Sequence, residues 1–413
     1  MSTSIRFKLS FMMFLEFFIW GAWFVTLGSF LIKNLNASQF EISNVFSTQS
    51  LGAIIAPFII GMIADRYFNA ERILGILHLA GAFLMFQMYK AVDVAVFYPY
   101  VLTYMILYMP TLSLVNSVSF RQLTNPEKQF SSIRVFGTIG WIVAGFTISL
   151  LGWDSSDGAA DGALKNTFLM ASVASLVLGL FSFVLPKTPP VKVADGEKPS
   201  FASMVGLDAI TLLKDKNYLV FFISSILICI PLAFYYQNAN PFLLEIGLTN
   251  ATGKMAIGQV SEAVFLLLLP ILFVRFGFKK TIMIGMLAWV VRYLMFAYGN
   301  AGDLSFMLII GIALHGICYD FFFVSGQIYT DAKAGLKYKS AAQGLITLAT
   351  YGIGQLIGFW VAGFIGEKYQ GIKATDVAGF WQQTWIVPAG IAFVVLIIFM
   401  ILFKNEKIES KTV

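Results

Sequence analysis

Charged side chains are scarce inside the long apolar stretches of this sequence, and the few that occur there are candidates for chemistry. Asp320 lies within a run that is otherwise apolar and aromatic. Inserting a charge into a membrane costs roughly 2.5–3.5 kcal/mol, so such a residue normally faces a protein interior or a water-filled cavity. We therefore interpret Asp320 as a functional acid. The alternatives are a structural ion pair or an acid that reaches the lipid headgroups.

Arg134 is a cation that could pair with this acid. Arg134 lies close to the inner end of its apolar span, and Asp320 is roughly 24 Å from the outer end of its own span at about 1.5 Å per residue. Protonation of Asp320 would release Arg134, and loss of the proton would restore the pair. This predicts a proton-coupling device, with a permanent structural pair as the alternative.

A second polar group lies near mid-depth and suits an uncharged polar ligand. Gln259 and Glu262 are three residues apart and share one helix face. A carboxylate accepts hydroxyl protons, while an amide both donates and accepts. A polar clasp between helices is the alternative, and Glu262 is also the nearest acid in depth to Arg292. Further candidates are flat or polar side chains on other spans, namely Thr138, Trp141, Tyr236, His315 and Tyr319.

The elements that position these residues are long apolar helices. The chain has 413 residues, of which 58% are hydrophobic and 12% are charged, with a mean hydropathy of +0.79. Soluble domains carry roughly 25% charged residues, so the sequence predicts an all-α membrane protein. Each predicted span is near the ~20 residues required. The twelve spans are 11–32, 45–64, 73–90, 97–120, 132–151, 167–186, 218–243, 255–274, 281–298, 304–325, 341–365 and 384–403. A proline at the end of Tyr235-Tyr-Gln-Asn-Ala-Asn-Pro241 could break the seventh span and leave it lining a cavity.

The positive charges support this count and orient the chain. With alternating loops, twenty of the 28 Lys and Arg residues fall on the side of the termini and six on the other side. The positive-inside rule then places both termini in the cytoplasm. The polar stretch after the sixth span, residues 187–217, predicts a linker between an N-terminal six-helix bundle, 1–186, and a C-terminal one, 218–413. Gly140-Trp-Ile-Val-Ala-Gly-Phe146 is echoed by Gly358-Phe-Trp-Val-Ala-Gly-Phe364, which favours a duplication with pseudo-symmetric halves.

A short motif follows the second span and indicates a transporter fold. Gly61, Asp65 and Arg66 lie in Gly61-Met-Ile-Ala-Asp65-Arg66, which resembles the loop signature of the major facilitator superfamily. Its charged pair would form hydrogen bonds at the inner surface that must break when the halves rock. Two ordinary inner-surface charges are the alternative.

Longer strings resemble the bacterial nucleoside permeases of the nucleoside:H⁺ symporter family. The similarity lies in Arg134-Val-Phe-Gly-Thr-Ile-Gly140, Gln259-Val-Ser-Glu262, Ala288-Trp-x-x-Arg292, Phe296-Ala-Tyr-Gly299, Asp320-Phe-Phe, Ser325-Gly326, Phe17 to Gly28 and Tyr108-Met-Pro-Thr-Leu112. The resemblance implies a proton-coupled nucleoside importer of the inner membrane that works by alternating access. It also implies a nucleoside site at Arg134, Thr138, Gln259 and Glu262, and proton coupling at Asp320.

The sequence departs from well-known family members at the positions that would contact base and ribose. Trp141 and Tyr319 stand in place of Phe, and His315 stands in place of Tyr, while Ala233 and Tyr236 replace a Gln and an Asn. The same fold carrying a sugar or a purine-derived metabolite, or a sensor without transport, therefore remain alternatives. We expect no enzyme activity, since no Walker, Cys-x-x-Cys or His-Glu-x-x-His pattern occurs. We also expect no cofactor or metal beyond the proton gradient, no nucleic-acid partner, and a monomer in the lipid bilayer.

Overall fold

The computed structural model describes residues 2–59, 68–124, 126–189 and 207–406. The chain divides into two compact units, of which the first comprises Met1–Pro199 with Thr249–Ala256 and the second Ser200–Leu248 with Ile257–Val413. The predicted linker, 187–217, includes residues 190–206, which lie outside the described ranges. Its boundaries, and the division 1–186 and 218–413, stay predictions.

The first unit is a set of apolar helices that end at polar or glycine-rich turns. Asp93 begins one of them by accepting a hydrogen bond from the Val96 backbone N–H at 2.8 Å, which satisfies a free donor of the first turn. The helices are α1 (Thr3–Trp23), α2 (Leu27–Leu35), α3 (Gln39–Ile59), α4 (Ala70–Lys90), α5 (Val94–Gln122), α6 (Pro126–Leu150), α7 (Ser156–Ala160) and α8 (Asn166–Ser182).

The second unit is helical in the same way, but two of its spans contain stretches of wider π-helix. These stretches are Asp320–Val324 and Leu348–Gly354. Such widenings are frequent at functional sites because they rotate side chains out of the regular helical register. The α-helices are α9 (Lys216–Glu245), α10 (Ala251–Tyr298), α11 (Ser305–Ala313), α12 (His315–Tyr319), α13 (Ser325–Thr347), α14 (Gln355–Lys373) and α15 (Val377–Leu402). The first residues of α10, up to Ala256, are counted with the first unit.

The predicted all-α fold with twelve spans is confirmed. Ten stretches of the described chain are long and apolar enough to cross a membrane. One of them, α10, holds the eighth and ninth predicted spans, which are divided where Gly277 leaves the helical conformation at φ 73°. The described part of the second predicted span coincides with α3.

The expected break in the seventh span is wrong. Helix α9 continues through Pro231 and Pro241 to Glu245. A proline is tolerated within a membrane helix when neighbouring helices satisfy the backbone groups around it. Here the Tyr293 hydroxyl donates a hydrogen bond to the Pro231 carbonyl. The irregular backbone of this unit lies in the tenth and eleventh spans instead.

Two glycines of the repeated Gly-x-x-Val-Ala-Gly-Phe motif each allow close helix packing within their own unit, which is expected of a duplication. A Cβ on Gly140 of α6 would overlap the Phe14 carbonyl of α1. A Cβ on Gly358 of α14 would lie 2.6 Å from the Ala233 Cβ of α9. In each unit the fifth span therefore lies directly against the first, which agrees with the pseudo-symmetric pair of six-helix bundles.

Candidate functional site

The centre of the second unit holds a carboxylate, a histidine and an arginine in a row. The Glu262 carboxylate lies 3.6 Å from His315 Nε2. The other ring nitrogen, Nδ1, lies 3.1 Å from Arg292 Nη1. Arg292 is fully buried and His315 is 4% exposed, whereas the Glu262 side chain is 22% exposed. The anionic end of the row is thus the end that a solute could reach.

Close packing between α10 and α12 brings this row together. A Cβ on Gly316 would lie 2.5 Å from the Ser261 carbonyl carbon and oxygen, so only glycine allows this approach. The Gly316 backbone N–H donates to the Ser261 hydroxyl at 3.3 Å, and that hydroxyl donates to the Ala313 carbonyl. Glu262 follows Ser261 and His315 precedes Gly316, so this contact holds Glu262 and His315 side by side.

Aromatic rings surround the row. The Tyr235 ring is stacked on His315 at 5.5 Å and carries the Arg292 guanidinium over its face at 3.6 Å. Tyr319 is also stacked with His315, at 5.9 Å, and its hydroxyl bonds to the Tyr351 hydroxyl at 2.5 Å. These rings can hold a flat heterocycle, and a cation over a ring is an attractive arrangement in a desolvated site.

Asp320 begins the π-helical stretch that follows α12. Its side chain is 1% exposed, and Oδ2 has no hydrogen-bond partner among the described residues. Burying an isolated charge costs much free energy. The buried position therefore favours the neutral, protonated form of the Asp320 side chain over the charged form.

The other predicted residues of this unit are partly accessible. Gln259 precedes Glu262 by one turn of α10, and Tyr236 follows Tyr235 on α9; both are half-buried. Among the described residues, no group of three His, Cys, Asp or Glu side chains could hold a metal ion.

The first unit contributes Arg134, Thr138 and Trp141, which lie along α6 and are all half-buried. The Arg134 guanidinium lies 4.0 Å from the centre of the Phe17 ring of α1. Trp141 packs edge-on against Trp20 at 5.6 Å. Arg134 and Asp320 belong to different units, so their pairing stays a prediction. The motif residues Gly61, Asp65 and Arg66 lie outside the described ranges.

Two features of the cluster were missed in the sequence. The expectation that Glu262 pairs directly with Arg292 is wrong, because the His315 ring lies between the two charged groups. Tyr351 lies in a glycine-rich span, and the π-helical stretch that places it against Tyr319 has no sequence pattern of its own. The sequence signal that pointed to the row was the similar depth of Glu262 and Arg292 in their spans.

Solved structures define the class of protein to which this fold and this cluster belong. A crystal structure of the nucleoside transporter NupG matches with a TM-score of 0.84 and 29% identity, covering 98% of this chain and 100% of that one. The fold is that of a major facilitator transporter.

The chain belongs to the nucleoside H⁺ symporter family, whose profile matches residues 1–408. It is 42% identical over 407 residues to YegT of Escherichia coli (strain K12), provisionally named a nucleoside transporter, covering 97% of this chain and 94% of that one. It is 33% identical over 430 residues to the xanthosine permease of the same organism, covering 99% of each. The protein is therefore a transporter and not an enzyme.

Proposed function

We infer that this protein imports nucleosides together with protons, and we propose the residues that do so. The observation that carries the assignment is the row formed by Glu262, His315 and Arg292 inside a chain that belongs in full length to a nucleoside H⁺ symporter family. Because the row ends in a partly exposed carboxylate, a ligand rich in hydroxyl groups can bind there without displacing a buried ion pair.

Each predicted side chain has a role that its chemistry supports. Glu262 accepts hydrogen bonds from ribose hydroxyls, and Gln259 pairs with the edge of the base. Tyr319 and Trp141 stack on or wall the base, while His315 holds Glu262 in place. The remaining proposed contacts to the nucleoside come from Arg134, Thr138 and Tyr236.

Proton coupling is assigned to Asp320, with Arg134 as the cation that its ionised form would attract. The support is its burial and the lack of a partner for Oδ2 among the described residues. A proton on this carboxyl group removes a charge that the buried position disfavours. Release of that proton toward the cytoplasm would then let the empty carrier return.

The setting proposed for this activity is the bacterial inner membrane, with both termini in the cytoplasm. The imbalance of Lys and Arg between alternate loops supports this orientation. We further propose that the carrier acts as a monomer in the lipid bilayer, uses no cofactor beyond the proton gradient and binds no nucleic acid.

Uptake by purified protein in proteoliposomes under an imposed pH gradient tests this function. We expect a labelled nucleoside to accumulate when the outside is acidic, and a protonophore to abolish the accumulation. Competition by nucleosides, free bases and sugars identifies the solute class. If sugars compete and nucleosides do not, the nucleoside assignment is wrong.

The variant Asp320→Asn tests the coupling residue separately. It should bind nucleoside, as measured by thermal shift in detergent, yet accumulate much less of it than the wild type under an imposed pH gradient. Accumulation at the wild-type level would remove Asp320 from coupling and leave the transport assignment intact.

A further inference from the structure

A second titratable pair lies in the first unit, and neither of its two residues has a role assigned above. The Glu16 carboxylate of α1 contacts His78 Nε2 of α4 at 2.8 Å, and the two side chains are 0% and 2% exposed. The second carboxylate oxygen, Oε1, lies 2.6 Å from the Thr111 hydroxyl of α5, which is equally close to the Tyr108 carbonyl and can donate its one proton to either oxygen. The Tyr108 hydroxyl donates to the Glu16 backbone carbonyl at 2.7 Å. Glu16 therefore joins three helices through one buried side chain.

The hydrogen bonds of the Ser175 hydroxyl show which ring nitrogen of His78 carries a proton. Its hydroxyl donates to the His78 backbone carbonyl at 3.0 Å and lies 3.2 Å from Nδ1 of the same residue. Because the single hydroxyl proton is used on the carbonyl, Nδ1 must be the donor in its contact with Ser175. The imidazole thus keeps a proton on Nδ1, and only Nε2 can gain or lose one.

It follows that the 2.8 Å contact between Nε2 and Oε2 needs a proton of its own. With that proton present, an N–H or an O–H bridges the two atoms and the pair has no net charge. When the proton leaves, both atoms are acceptors and the pair carries one negative charge. Two lone pairs repel at this distance, so loss of the proton destabilises the Glu16–His78 side-chain contact.

The surroundings contain few other groups that could hold this proton. Helix α5 supplies Tyr104 and Tyr108, and α6 supplies Arg134, whose guanidinium lies over Phe17, the residue after Glu16. Helix α8 carries Ser175 and has no charged residue between Asn166 and Ser182. On α4, Glu71 is bonded to the Thr188 backbone N–H at 2.8 Å and takes no part. Arg134 would stabilise the negative charge that remains once the proton has left.

We propose that Glu16 and His78 form a second proton-binding site, which is loaded and emptied once in each transport cycle. The loaded site links the Glu16 side chain of α1 to the His78 side chain of α4, and the empty site breaks that link. This inference rests on the proposed proton-coupled function and adds one coupled proton to the one assigned to Asp320. A buried carboxylate is otherwise a costly way to hold helices together, since an amide would make the same hydrogen bonds without a charge.

The variant Glu16→Gln separates a proton site from a structural clasp. The amide oxygen accepts from Thr111, and the amide N–H donates to Nε2 of a neutral His78 that keeps its Nδ1 proton. Both contacts of the residue 16 side chain can therefore be kept, and the site behaves as permanently loaded. We expect exchange of nucleoside across the membrane at equal pH to continue, while the number of protons per nucleoside falls by one.

The accumulation ratio reports this number directly. One pH unit corresponds to a factor of about ten for each coupled proton. In an imposed gradient of one pH unit, E16Q should therefore accumulate about tenfold less nucleoside than the wild type. The matched control is Thr111→Val, which removes a hydrogen bond from the same carboxylate without removing its proton. Its accumulation ratio should equal that of the wild type.

Two further results keep the proposal open to refutation. If E16Q does not fold, His78→Gln removes the proton from the other side and should cause the same tenfold loss. A wild-type ratio in whichever variant folds shows that the pair is only a structural clasp. If the wild type itself fails to accumulate nucleoside under a pH gradient, the proton-coupled function fails first, independently of Glu16.

Discussion

The two units each place a carboxylate against a histidine, and the two pairs differ in tightness and in access. Glu16 and His78 are 2.8 Å apart and almost fully buried. Glu262 and His315 are 3.6 Å apart, and the Glu262 side chain is 22% exposed. The same two chemical groups thus form a closed pair in one unit and an open pair in the other. A closed pair suits a proton, which needs no space, and an open pair suits a solute.

The neighbours of each pair strengthen the contrast. The oxygens of Glu16 contact His78 and Thr111, so each carboxylate oxygen has a partner within the bundle. The Glu262 carboxylate has the more distant His315, whose Nδ1 side faces Arg292. Hydrogen-bonding capacity therefore remains at Glu262, and a ligand can use it.

Replacement of each carboxylate by alanine should give the largest difference in stability between the two pairs. Glu16→Ala leaves His78 and Thr111 buried without their partner, and removal of one member of a buried pair costs about 3–5 kcal/mol. Glu262→Ala should cost less than Glu16→Ala, because the Glu262–His315 contact is longer and its carboxylate is partly exposed. Thermal unfolding in detergent measures both effects.

The expected pattern of binding is the reverse of the pattern of stability. E262A should fold normally and lose its thermal shift with nucleosides. Equal destabilisation by the two substitutions would show that the open pair is structural as well.

A methyl group on Gly316 should widen the open pair further. The added Cβ would meet the Ser261 carbonyl at 2.5 Å and the Glu262 nitrogen at 2.6 Å, and backbone atoms cannot move away easily. We expect Gly316→Ala to lose about 2 kcal/mol of unfolding free energy through overpacking. Nucleoside binding should weaken more than tenfold.

The matched control is Gly371→Ala at the end of α14. A Cβ there would have no atom within 4 Å, so stability should stay equal or rise slightly. If G316A behaves like this control, the close approach of α10 and α12 does not position Glu262.

Much of this architecture could be predicted from the sequence, because apolar length and loop charge determine membrane spans almost by themselves. The charged residues within spans were also visible, since any charge there stands out. What could not be predicted is which of them touch. His315 separates Arg292 from Glu262 because of side-chain directions that depend on how three helices pack. The continuous passage of α9 through Pro241 depends likewise on its neighbours.

Removal of one hydroxyl tests whether nucleoside binding at Glu262 depends on the hydrogen bond that holds the Tyr319 ring. Tyr351→Phe deletes the bond to the Tyr319 hydroxyl and leaves the ring in place. A hydrogen bond of this kind contributes about 1 kcal/mol, so nucleoside binding should weaken about fivefold by titration calorimetry. Tyr298→Phe, at the half-exposed end of α10, should bind as the wild type does. Unchanged binding by Y351F would mean that Tyr319 is held without this bond.

An exposed ion pair in the second unit gives the smallest expected effect and completes the comparison. Asp215 contacts Lys333 at 2.8 Å with a 44% exposed side chain and begins α9 by accepting from the Tyr218 backbone N–H at 2.9 Å. Partial burial acts to raise the pKa of Asp215, but these two hydrogen bonds outweigh it and hold the pKa below its usual value of 3.8. A lowered folded-state pKa means that the stabilisation is present above pH 3.8 and is lost as the pH falls through the folded-state pKa.

Asp215→Asn keeps the helix cap, because asparagine also caps, and removes only the charge. It should lower stability by about 0.5 kcal/mol at neutral pH, given the exposure of the pair. That gap to the wild type should close as the pH falls below 3.8 in thermal unfolding experiments. Asp215→Ala should lose about 1 kcal/mol more at every pH, since it also lacks the cap. A gap between D215N and the wild type that does not change with pH would show that the charge of Asp215 has no part in it. The exposed pair of Asp215 would then contribute nothing to stability through its charge, in contrast to the contribution expected of the buried Glu16 pair.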